Sequence, residues 1–219
     1  MDRLIAIAIL CAASHAARAD DLDAQLATVA TLAPACSAKH CIGVHLHVAA
    51  TDSTLVASPD WLAAQIATAD KHLATIDVGL TVVATDRASA MRVDTPADRD
   101  AIVGTTGLHA GAIDVYVTFR LADVDATDDT YIRGVTWRRH SDPDHKYIIL
   151  SIAAGPRTLA HELGHFFGLP HSKYAISIMN KTPRDQPPQD QRRYADEEIP
   201  ILKKTRDQLL ADKVIVDVP

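Results

Sequence analysis

Glutamate is almost missing from this chain. Only Glu162, Glu197 and Glu198 are glutamates, against 25 aspartates, so each glutamate stands out wherever it falls. Clusters of lysine and arginine are also lacking, which argues against nucleic acid or an anionic membrane surface as a partner. Beyond the first nineteen residues no apolar stretch approaches the roughly 20 residues that a membrane-spanning helix needs. Cysteine is scarce as well, with three in 219 residues. The chain is 47% hydrophobic and 23% charged, the balance of an ordinary globular protein, and its length suits one good-sized domain.

The first nineteen residues differ from the rest. Arg3 supplies a positive start, Leu4 to Ala13 is apolar, and Ala17-Arg18-Ala19 has the small-x-small form of a signal-peptidase site. Residues 1–19 are therefore expected to be a signal peptide cleaved before Asp20, with a secreted or periplasmic product. The remainder carries 20 basic and 27 acidic residues, a net charge of −7. It keeps two cysteines, Cys36 and Cys41, which in an oxidising compartment are expected to close a small disulfide loop. A thiolate placed on a metal is the rival use of such a cysteine.

Residues 20–41 are expected to form an N-terminal helical segment followed by the disulfide loop, with a catalytic domain over 42–219. Asp20–Leu32 reads as a helix ended by Pro34. Alternation over Ile42–Thr51 predicts a half-buried strand whose polar side carries His45 and His47. Ser58 caps a helix with Pro59 at its first position, running to Ile76 along a stripe of Trp61, Leu62, Ile66, Ala69 and Leu73. Val78–Thr85 is a second strand, and Asp86–Gly111 is turn-rich around a short helix near Asp98–Val103. Strands follow at Ile113–Phe119, Gly134–Arg138 and Tyr147–Ile152, with an acidic loop over Leu121–Thr130. Gly155-Pro156 opens a helix that stops at Gly168, Pro170–Pro188 is loop, and Asp196–Asp212 is a last helix. With no internal repeat, this order predicts one α+β domain built on a mixed sheet.

The chemistry concentrates in His161-Glu-Leu-Gly-His165-Phe-Phe-Gly168-Leu-Pro-His171. Residues i and i+4 of a helix share a face, so His161 and His165 can bind one ion, and imidazole suits Zn²⁺. Glu162, a quarter-turn away, can approach a zinc-bound water without occupying a coordination position. Gly168 can take positive φ and reverse the chain, Pro170 stiffens the return, and His171 completes the ligand set. An open position on a three-histidine zinc, beside a poised carboxylate, is the arrangement for hydrolysis rather than for structure alone.

At every fixed position this segment resembles the metzincin signature of zinc peptidases. Ser172 directly after the third histidine, and Met179 eight residues beyond it, are similar to the matrixin branch in particular. The resemblance implies a zincin fold with a five-stranded mixed sheet, an active-site helix and a small C-terminal subdomain. It also implies a methionine turn, Ile178-Met179-Asn180, beneath the metal, and a substrate lying extended along the strand near Gly134–Arg138. No matrixin propeptide is present, and no ligand set for the structural zinc and calcium ions of animal matrixins is evident. Lys181 stands where astacin-like enzymes place a tyrosine ligand. The segment after the methionine, Thr182–Arg193, is where such enzymes build their specificity pocket.

The expected function is a secreted, monomeric zinc endopeptidase acting on protein or peptide, with one catalytic Zn²⁺, Glu162 as general base and no stable membrane anchor. The alternative is a zinc-binding recognition or toxin-like module with a single dedicated protein partner. His45 and His47 suggest a metal pair, but without acidic partners nearby in sequence the expectation is exposed strand positions. Asp123, Asp125, Asp128 and Asp129 resemble a calcium loop in composition only, lacking the EF-hand glycine and terminal glutamate. Trp137 with Arg138 and Arg139 could line the cleft, Tyr174 or Tyr194 could bind an oxyanion, and Asp20, Asp21 or Asp23 could reach the zinc as an inhibitory carboxylate.

Overall fold

In a computed structural model, residues 21–104, 107–126 and 130–219 are described. The expected signal peptide with Asp20, and the aspartates Asp128 and Asp129 of the acidic loop, lie outside them. The described residues open with helix α1 (21–32), whose Leu22, Leu26 and Val29 are buried in the main core. Cys36 and Cys41 are joined as a disulfide with an S–S distance of 2.02 Å. That bond removes both thiols from any metal. Cys41 already belongs to strand β1 (His40–Ala49), so the helical segment and the following domain share one core.

Helix α2 (Pro59–Leu73) begins where Ser58 Oγ accepts a hydrogen bond from Trp61 N at 3.2 Å, and it tightens into a 3₁₀ turn over Ala74–Ile76. Strand β2 (Val78–Ala88) follows. A pair of two-residue strands, β3 (Arg92–Val93) and β5 (Arg120–Leu121), forms a small parallel sheet that the apolar pattern does not announce. Between them lie α3 (Pro96–Ala101) and β4 (Ala112–Thr118). The start of α3 is two residues earlier than predicted because Thr95 and Asp98 close a capping box. Strands β6 (Gly134–Arg139) and β7 (Asp142–Ser151) make an antiparallel hairpin. Strand β7 starts five residues before the expected Tyr147, because the polar end of the hairpin lacks the apolar signal. Helices α4 (Thr158–Phe166) and α5 (Ile199–Ala211) complete the chain.

The five long strands form one mixed sheet in the order β2-β1-β4-β7-β6, all parallel except the edge strand β6. Alternation sorts their side chains to two faces. Val44, Leu46, Val48, Ile113, Val115, Ile148 and Leu150 join α1, α2 and α4 in the main core. Tyr116, Tyr147 and Ile149 point the other way, into a smaller core with Val93, Val103 and Leu121. His45 and His47 share this second face. The expectation that they are exposed is wrong: they are 4% and 7% exposed, because β1 is central and its second face is also covered. No helix among the described residues is long and apolar enough to cross a membrane.

Candidate metal centre

Helix α4 lies on the main-core face against α2, β6 and β7. Its N-terminus is held from α2 by the buried Gln65, whose Nε2 donates to Gly155 O at 3.0 Å and whose Oε1 accepts from Leu159 N at 3.4 Å. Pro156 does not start the helix; a turn from Gly155 to Thr158 precedes it. At the other end Lys146 Nζ donates to Phe166 O at 2.9 Å, placing a cation on the helix's negative pole. Gly168 then takes φ of 92° and turns the chain, with Leu169 N donating to Gly164 O at 2.9 Å.

This scaffold gathers His161, His165 and His171, one ligand atom from each lying within 4.8 Å of the others. His161 Nδ1 lies 2.8 Å from Ile178 O and His165 Nδ1 lies 2.7 Å from Leu169 O. A carbonyl can only accept, so both Nδ1 atoms carry the proton and both Nε2 lone pairs are left for a metal. Burial pulls His161 down to about 4, with the neighbouring histidines and Lys181 adding to it and the Ile178 hydrogen bond opposing. Burial likewise lowers His165 and His171. All three rings are therefore neutral near pH 7, the state that coordinates. Three convergent imidazoles, two of them with fixed tautomers, are a donor set that fits Zn²⁺.

Glu162 is 5% exposed, on the β6 side of the helix. The hydroxyl of Thr136, from β6, lies 2.6 Å from Glu162 O and 3.1 Å from Glu162 Oε2. Burial pushes the carboxyl up to about 7, against the Thr136 hydrogen bonds and the charge of Arg99. The closeness of β6 to the helix needs a glycine: a Cβ on Gly134 would sit 3.0 Å from Glu162 Cγ and 2.9 Å from Thr158 Cγ2.

A stability prediction follows for the metal-free protein. A carboxyl whose folded pKa is raised stabilises the fold below its unfolded value and loses that contribution as pH rises. Glu162→Gln should therefore gain on wild type by about 3 kcal/mol between pH 4.5 and pH 7. Denaturant unfolding of both chains across that range checks it. The difference must be taken against wild type, because His161, shifted downward, loses its own stabilisation in the opposite direction as pH falls toward 4.

Met179 is fully buried under α4. A Cβ on Gly164 would overlap Met179 Sδ, so the glycine inside the histidine motif is what admits the methionine. The turn is closed by Asn180 N donating to Ser177 O at 3.2 Å and by Ser172 N donating to Met179 O at 3.1 Å. Ser177 Oγ accepts from Met179 N and lies 2.7 Å from Glu198 Oε2, which also accepts from Ala195 N. Glu198, buried at the head of α5, thus ties the turn to the C-terminal helix. Neither Ser177 nor Glu198 is apparent from motif spacing, although the scarcity of glutamate marks Glu198. Gln65, Thr136 and Lys146 carry no such mark.

Other expectations resolve as follows. Tyr194 is buried with its hydroxyl donating to Ala160 O at 2.6 Å, so it braces α4 and cannot reach an oxyanion. Trp137 packs on the second core, with Nε1 donating to Asp100 Oδ1 at 2.7 Å and Arg99 over its ring. Asp23 pairs with Arg87 on β2, the sheet edge opposite β6, and Asp21 binds Gln25. The open cleft beside His161 and Glu162 is instead lined by Arg133, Gly134, Asn180 and the segment that follows it. Arg184 shapes that segment by donating to the carbonyls of Ala175, Ser177, Asn180 and Thr182.

No protein-family model matches the sequence, and no curated protein matches it. Among solved structures, archaemetzincin from Methanopyrus kandleri matches with a TM-score of 0.52 and 15% identity, over 76% of this chain and 96% of that one. At that identity the likeness is one of fold: an α+β, zincin-like architecture around a five-stranded mixed sheet.

Proposed function

We propose that this chain is a secreted zinc endopeptidase of the metzincin type. The observation that carries the reading is the convergence of His161, His165 and His171, two of them with Nδ1 fixed on backbone carbonyls, beside a buried Glu162. His161, His165 and His171 would hold the ion. When bound, zinc supplies a double positive charge that acidifies water and polarises a peptide carbonyl.

Glu162 accepts the proton of the attacking water and returns it to the leaving amine. Thr136 holds the carboxyl in place, and the surrounding apolar packing keeps its basicity high enough to take a proton near neutral pH. Substrate backbone pairs with β6, whose outer edge has no strand neighbour among the described residues. The matrixin-like branch is proposed on the sequence positions of Ser172 and Met179 alone. The Cys36–Cys41 disulfide supports an oxidising, extracytoplasmic location.

The test is a mixed peptide library incubated with the zinc-loaded chain from Asp20 onward. Cleavage that a chelator stops and zinc restores supports the reading. Bound zinc without cleavage of any peptide overturns it in favour of a recognition module with a dedicated partner.

A further inference from the structure

We infer that the molecule holds a second zinc ion, in a site built from His45, His47, His109 and Asp114 on the face of the sheet turned away from α4. One ligand atom from each of these four side chains lies within 4.8 Å of the others. His45 and His47 leave β1 on the second face, and Asp114 leaves the adjacent strand β4, paired in register with His45. His109 comes from the segment just before β4. The site shares no residue with His161, His165 and His171, and the sheet lies between the two.

Three observations favour an ion over a plain hydrogen-bond network. Asp114 is only 2% exposed, yet its ion-pair partners among the described residues are histidines, His47 Nε2 at 2.8 Å and His109 Nδ1 at 2.7 Å from Oδ1. That carboxylate also accepts from His109 N at 2.9 Å, but among the described residues it has no lysine or arginine partner, and a buried carboxylate without a permanent cation is a costly state that a divalent ion removes. Secondly, His45 Nε2 is buried with no hydrogen-bond partner among the described residues. Asp86 Oδ2 is 2.7 Å from it but not in hydrogen-bond geometry. Thirdly, the three rings crowd one another, with centroids 3.8 Å apart for His45 and His109, 4.2 Å for His45 and His47, and 5.5 Å for His47 and His109. Imidazoles gathered this closely can present their nitrogens to one shared ion.

The donor set names the ion. Three imidazoles and one carboxylate suit Zn²⁺, and four protein ligands leave no open position, so the ion is structural. It ties β1 to β4 and anchors the segment carrying His109. Entry is open: His47, Asp86, His109 and Tyr116 line a solvent-accessible cleft.

The test uses zinc alone on the His165→Ala chain, in which the first site lacks a ligand. After dialysis, wild type should retain about two zinc ions per chain and His165→Ala about one. Adding His109→Ala, at a side chain that is 41% exposed, should remove that remaining ion while leaving the far-UV spectrum unchanged. Asp114→Asn in the same background should weaken binding by a factor on the order of 10 or more. Co²⁺ bound to His165→Ala should give the visible absorption of a four-coordinate ion. A His165→Ala chain that takes up no zinc and shows no rise in melting temperature with it overturns the inference. So does a zinc ion that survives His109→Ala. Neither result depends on peptide cleavage, so the second site and the peptidase reading fail separately.

Discussion

Glu162→Gln should lower turnover of any cleaved peptide by about 10³-fold or more, at the upper end of what a positioned acid–base group contributes. Glutamine keeps the shape and can still receive the Thr136 hydroxyl, so the helix and its contacts with β6 persist. It cannot take a proton from water. Because Glu162 is outside the converging histidine trio, the variant should keep its zinc. The loss should fall on kcat with KM little changed, the mark of an interaction made only in the transition state. Metal content measured beside single-turnover rates separates this from an enzyme that has lost its ion. Turnover within tenfold of wild type, with zinc bound, would remove Glu162 from the mechanism.

What the sequence made legible follows from how local each signal is. The ligands on α4, the turn at Gly168 and the cap at Ser58 depend on residues within one or two helical turns of each other, and spacing displays such relations directly. A five-stranded mixed sheet is implied by likeness to the metzincins, and the observed sheet is of that kind, but its spatial order β2-β1-β4-β7-β6 is not visible in the sequence. Relations across the chain were hidden. His45 and His47 look like the wet side of a half-buried strand until β2 and β4 enclose β1, and Asp114 is 67 residues from His47. Gln65 reaches α4 across 94 residues, and Glu198 reaches the methionine turn across 21. Tyr194 is hidden for the same reason: its distance from the histidines in sequence says nothing of the carbonyl beneath α4 that it binds. The two short strands β3 and β5 are too brief to show any period.

His165→Ala should abolish turnover and lower zinc affinity at the first site on the order of 10³-fold, beyond the 10–100-fold typical of losing an outer-sphere partner. His165 is the ligand that braces the turn leading to His171. Its Nδ1 donates to Leu169 O, joining the end of α4 to the chain beyond Gly168, and that chain carries His171. Removing the ring therefore takes away one ligand and loosens the placement of another. His171→Ala removes only an exposed side chain at the end of the turn, with no Nδ1 tether of this kind shown, and should weaken zinc by a smaller factor. Zinc titration of the two variants against a competing chelator measures the order. Equal losses would mean that the tether to Leu169 does not position His171, and a His165→Ala chain that still cleaves peptides would mean that the metal centre lies elsewhere.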